Sequence, residues 1–174
     1  MPKPIEALHF MPDDGMLASY NGSPRTPVQA GMKFRVKGPP VPCKNGLHGS
    51  IRAIDALHYA PGRIITRVAL SGQIEHADDK LCATVRKVLW GPYDAHDTLH
   101  EFACWCAEQA LNVERAAGRE PHADSWRAIE VKRLWINKKA TNAELDAASA
   151  AAWAAASAAA SAAASAAASA AASA

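Results

Sequence analysis

Residues 63–94 read RIITRVALSGQIEHADDKLCATVRKVLWGPYD, and the fold turns on this stretch. From Arg63 to Leu70, Ile64, Thr66, Val68 and Leu70 alternate with Ile65, Arg67 and Ala69, which is the period of a strand with two usable faces. Ser71-Gly72 is a turn signal, Gln73 to His76 resumes the strand, and Asp78-Asp79-Lys80 breaks it again. Leu81 to Trp90 is the longest candidate strand, with Leu81, Ala83, Val85 and Leu89 on one side. Gly91-Pro92 marks a change of regime.

Toward the N-terminus the chain continues as short strands. Ile5 to Met11 is one, ended by Pro12-Asp13-Asp14-Gly15; Met16 to Tyr20 is the next, followed by the turn Asn21-Gly22-Ser23-Pro24. Met32 to Val36 precedes the stiff run Gly38-Pro39-Pro40-Val41-Pro42. Ser50 is placed to cap a short helix from Ile51 to Tyr59, with Ile51, Ile54 and Leu57 on one face.

Toward the C-terminus the period changes to that of helices. Asp94 caps one running to about Ala117 and closed by Gly118, whose Leu99, Phe102, Ala103, Cys106 and Ala110 would face the sheet. A second runs from Ser125 to about Lys139, with Trp126, Ile129, Arg133 and Ile136 along one side. The expected class is α+β: a small antiparallel sheet with helices packed on one face, plus a long C-terminal Ala/Ser-rich helix. Residues 1–92 form the β-rich part of the globular domain, 93–140 its helical part, and 141–174 the tail.

That tail opens with Thr141-Asn142-Ala143-Glu144, a capping box. Alanine then fills almost every position, and Leu145, Ser149, Trp153, Ser157, Ser161, Ser165, Ser169 and Ser173 follow at intervals of four. A step of four overshoots a full turn by about 40°, so this row winds slowly round the helix and is no heptad seam. An alanine helix alone in water is marginally stable. The expected outcome is self-association through Leu145, Ser149, Trp153, Ser157, Ser161 and Ser165, giving a homo-oligomer. Small-xxx-small spacing also suits membrane helices, but after Leu145 the segment has no Leu, Ile, Phe or Val to drive insertion.

The 49% hydrophobic content is inflated by the same alanines, and aromatic residues make up only 6%, so the core must come from the rest of the chain. A net charge of +2, with Lys and Arg scattered apart from Lys132-Arg133 and Lys138-Lys139, gives no case for nucleic acid. Cys43, Cys82, Cys104 and Cys106 form no C-x-x-C pair and lack the spacing of a secreted disulfide scaffold. No basic stretch followed by an apolar one opens the chain, so the expected location is the cytoplasm or a virion, without secretion.

Chemistry concentrates at Asn45-Gly46-Leu47-His48-Gly49-Ser50. Read as a loop entering a helix, it sets donors at a helix N-terminus, and His48, Gly49 and Ser50 become candidates to hold an anion. The competing reading has Ser50 as a plain cap and His48 packed at a strand end. His96, His100 and Cys104 recur every four residues on one helix face and are candidate metal ligands, though no second element supplies a partner. Neither G-x-S-x-G nor a P-loop is present.

The run from Gly46-Leu47-His48 through Asp55-Ala56-Leu57-His58-Tyr59-Ala60-Pro61-Gly62, with Arg67-Val68-Ala69-Leu70-Ser71-Gly72 and Arg86-Lys87-Val88-Leu89-Trp90, resembles a family of uncharacterised phage and prophage proteins. The likeness spans residues 40–110 and the style of the alanine-rich repeat. It implies a phage or host-cell context, with other phage proteins as partners, and no assigned reaction or cofactor. Leu47-His48-Gly49-Ser50 leading to Tyr59 is also similar to ADP-ribosyltransferase motifs, which implies an NAD pocket around His48, Ser50 and Tyr59 with Glu75 as the candidate acid. Glu75 lacks the companion residues of that family.

Overall fold

The computed structural model describes residues 3–17 and 24–172. Its strands are β1 (Ile5–Met11), β2 (Met16–Leu17), β3 (Thr26–Pro27), β4 (Lys33–Arg35), β5 (Leu47–Gly49), β6 (Ile64–His76) and β7 (Leu81–Asp94). Its helices are α1 (Ala53–His58), α2 (His96–Ala116), α3 (Ala123–Ile136) and α4 (Asn142–Ala172). The class is α+β with a long C-terminal helix. Residues 1–96 and 97–174 make up separate compact units. The expected strand residues 18–20 and turn residues 21–23 lie outside the described part.

In the first unit, β6 and β7 pair antiparallel along most of their length, β1 flanks β6, and β4 and β5 both pair with β7. The expected turn at Ser71-Gly72 is instead a bulge inside one strand. Pairing slips between Ser71 and Ile74, Gly72 takes φ +81°, and Gln73 N–H donates to Thr84 Oγ1 at 3.1 Å. One extra residue is absorbed while the ladder goes on. Gly91-Pro92 does not end β7 either, since Tyr93 and Asp94 still pair with Ile65 and Ile64.

Leu47–Gly49, expected as a loop, is a strand whose His48 lies opposite Cys82. Just beyond it, Ser50 exchanges two backbone hydrogen bonds with Leu8, of 2.8 and 3.0 Å, on the edge of β1 away from β6. The path β1–β6–β7–β5 therefore returns to β1, and the sheet closes on itself. Gly49 makes that closure possible: a Cβ there would stand 3.0 Å from Ala7 Cβ and 3.3 Å from the Leu8 carbonyl. Closure leaves a small interior filled by Ala7, Val68, Leu70, Leu81 and Ala83, while Met11, Val28, Ile64 and Val88 form a second buried cluster. Each large aliphatic side chain so buried stabilises the fold by about 1.5–3 kcal/mol.

Helix α1 starts later than the sequence suggests. Arg52 is its N-cap and supplies no side-chain bond, while Ser50 is held in the bridge and is 2% exposed. The buried residue of α1 is Ala56, and Ile51 and Ile54 are exposed.

In the second unit α3 lies between the other two helices. Trp126, Ile129 and Arg133 face α2: Arg115 stacks over the Trp126 ring at 4.5 Å, and Arg133 Nη2 donates to Glu108 at 2.8 Å. The other side of α3, with Arg127, Val131 and Leu134, faces Ala147, Ala148 and Ala151 of α4. Helix α2 turns inward a side different from the expected one. His100, Cys104 and Glu108 are covered, and Phe102, Ala103, Cys106 and Ala110 are exposed. On that side Glu101 and Glu108 of α2 both reach Arg133.

Helix α4 begins with the capping box read from the sequence: Glu144 N–H donates to Thr141 Oγ1 at 3.2 Å, and Thr141 N–H to Glu144 Oε2 at 2.7 Å. Leu145, Ala148, Ala152 and Ala155 are half-buried, a 3-4-3 spacing that keeps one face on α3. From 156 to 165 every residue is exposed. The stretch 142–165 is long and apolar enough to cross a bilayer by length and composition.

Candidate functional site

Four residues singled out in the sequence meet on one cavity. His48, Gly49, Ser50 and Tyr59 line a hollow of about 290 Å³ with Leu8 and Lys80. They arrive there by a route other than a helix N-terminus. β5 delivers His48 and Gly49, the bridge to β1 holds Ser50, and Tyr59 follows the end of α1. Of the two readings of this stretch, the strand position holds for His48, and no helix N-terminus stands at Ser50: α1 is a six-residue helix beginning beyond it.

The hydrogen bonds define what each group can still do. His48 Nε2 accepts from Cys43 N–H at 3.3 Å, and its carbonyl accepts from Arg86 Nη1 at 2.9 Å. Burial, then the charges of Lys80 and Arg86, hold its imidazole below the ordinary histidine range, so it is neutral near pH 7. Tyr59 donates its hydroxyl to Asp79 at 2.6 Å, which pushes the phenol up. The Lys80 ammonium lies 4.0 Å over the Tyr59 ring and donates to Cys43 Sγ at 3.2 Å, a bond that raises the pKa of the lysine. Glu75 lines neither this hollow nor its neighbour; it stands on β6 opposite Cys82. The set therefore has a histidine and a tyrosine but no carboxylate in its walls.

A second cavity of about 360 Å³ adjoins the first, and His9, Phe10, His48 and Pro61 line both. Its remaining walls include Leu17, Phe34, Arg35 and Arg86. Two of its polar residues escaped the reading of the sequence. Arg86 of β7 is 4% exposed, and burial lowers its pKa to about 10. His9 of β1 has a buried Nδ1 without a partner, and its pKa is lowered well below 6.5 by burial, then by Arg86 and His48. These side chains come from strands far apart in the chain, and each looks in isolation like an ordinary polar residue of an alternating strand. The signal available was Arg86 itself, a charge set with Lys87 between Val85 and Val88.

The candidate metal ligands have a packing role. His100 and Cys104 lie on the face of α2 turned to α3, with His100 edge-on to the Trp135 ring at 5.3 Å and Cys104 buried. Among the described residues no group of three His, Cys, Asp or Glu is arranged to hold a metal ion. All four cysteines are free thiols, with Cys82 and Cys104 buried. In the tail, Ser149 Oγ donates to the Leu145 carbonyl of its own helix at 2.8 Å, Leu145 packs toward α3, and Trp153 is 76% exposed. No family model, no curated protein and no solved structure matches this chain.

Proposed function

We propose that this is a non-enzymatic phage- or prophage-type protein whose globular part binds a partner and whose α4 helix drives self-assembly. The observation that carries the assembly half is the bare second part of α4. A helix of alanine and serine with every side chain exposed from 156 to 165, beside a Trp153 that is 76% exposed, has little of its own to hold it. Packing against copies of itself supplies the missing contacts, and small side chains allow the backbones to approach closely. Leu145 is taken up by α3, so the assembling surface is Trp153, Ser157, Ser161 and Ser165. The phage setting, with action in the host cytoplasm or in a virion, is supported by the sequence resemblance alone.

The test compares the solution mass of the full chain with that of a chain ending at Ala156, which keeps the contacts with α3. An oligomer that becomes monomeric on truncation supports the reading. Flotation of the full chain with phosphatidylcholine vesicles would replace it with membrane insertion.

The ADP-ribosyltransferase-like alternative is favoured by one observation, the convergence of His48, Ser50 and Tyr59 on a single cavity. It lacks an acid, since Glu75 stands elsewhere and neither cavity is lined by Asp or Glu. A rise in melting temperature with NAD would favour it; an unchanged melting temperature favours the binder.

A further inference from the structure

A guanidinium out of water needs acceptors for its donors, and a carboxylate is its usual companion. Arg86 has neither a carboxylate nor a full set of acceptors. Its Nη1 donates to the His48 carbonyl, its Nε is buried with no hydrogen-bond partner among the described residues, and the side chain lines the larger cavity. The ring of Phe34, 5.9 Å away, is its other neighbour. A buried guanidinium with an unmet donor, set in the wall of a cavity, is matched by the oxygens of a carboxylate or phosphate. Elsewhere in this chain Arg115 and Arg119 grip the carboxylates of Glu120 and Glu114 in this way, through Nε and Nη2.

The surroundings select the sign of the ligand. The two joined cavities are lined by Arg35, Lys80, Arg86, His9 and His48, and by no Asp or Glu. They also select its body, because Phe10, Leu17 and Phe34 line the same hollow as Arg86. A volume of about 360 Å³ suits a small organic molecule.

We propose that this cleft binds a small organic anion whose carboxylate or phosphate group pairs with the Arg86 guanidinium and whose apolar body lies against Phe10 and Phe34. The site names the ligand class for the binding half of the proposed function and rests on that half; it is independent of assembly through α4.

The experiment titrates the full chain with benzoate, phenyl phosphate and neutral benzyl alcohol, read by calorimetry and by the Arg86 Nε–H resonance in a proton–nitrogen NMR spectrum. Saturable binding of either anion, with a shift of that resonance and no binding of benzyl alcohol, is the expected result. The stronger of the two anions tells a carboxylate head from a phosphate. Arg86→Lys keeps the charge, removes the fork, and is expected to weaken anion binding by about tenfold. Should that variant not fold, the wild-type resonance decides. Absence of binding by both anions, equal binding of benzyl alcohol, or an unmoved Nε–H would overturn the proposal. Solution mass measured on the same samples keeps the outcomes apart, since loss of anion binding with assembly intact removes the site and leaves the tail.

Discussion

Buried charge without a partner sets the chemistry of individual residues in this protein. His9 and His48 share their space with Arg86, and both imidazoles are held neutral by burial and by that cation. In the unfolded chain the same histidines titrate near 6.5, so below that pH the unfolded state binds more protons than the folded one. Stability is therefore full above about 6.5 and falls as the pH drops toward the lowered folded values. The melting temperature, followed by circular dichroism from neutral to mildly acid pH, is expected to decline over that window, and less steeply in His9→Gln. An equal decline in both would remove His9 from this role. Gly46 is as exacting: its φ is +139°, and a Cβ would overlap Cys82 Sγ. Gly46→Ala is expected to cost more than about 2 kcal/mol in chemical denaturation, through strain and overpacking together. Of the candidate site, His48, Gly49, Ser50 and Tyr59 were legible because they lie close in sequence. Arg86 and His9 were not, because only pairing across the sheet brings β1, β5 and β7 together.

Elements were legible where period and punctuation agree. β1 and the capping box of α4 follow from the sequence as read, and each rests on a local rule. The misreadings share another cause. Ser71-Gly72 and Gly91-Pro92 are strong turn signals, yet each lies within a strand whose partner continues, so the ladder outweighs local preference. β5 is three residues long and has no pattern of its own; it exists because the edge of β7 needs a partner. On α2 the side with His100, Cys104 and Glu108 faces α3 in place of the apolar stripe read from the sequence. Leu145 is the one large aliphatic residue of α4, and it is half-buried on the side that carries Ala148 toward α3. Leu145→Ala is expected to cost about 1–2 kcal/mol at this half-buried position. Hydrogen exchange reads it as faster exchange across the first turns of α4, with the sheet unchanged; no change there would mean that alanine contacts alone hold the pair.

At the scale of the molecule, the chain joins a closed sheet with its own cores to a set of helices whose last member is half-buried at intervals up to Ala155 and exposed from 156 to 165. The sheet unit carries the ion-free arginine and its cavities. The helical unit carries a run of exposed side chains from 156 to 165. Such a division of labour suits a protein that binds with one part and assembles with the other. The sequence announced the tail through composition, and the structure adds where its support ends, near Ala155. Light scattering on a sizing column, comparing the full chain with one ending at Ala156 over a range of concentrations, tests assembly most directly. The expected result is a defined multiple of the chain mass for the full protein and the mass of a single chain for the shortened one. A full chain that stays monomeric at every concentration, or a shortened chain with the same oligomeric mass, would contradict it.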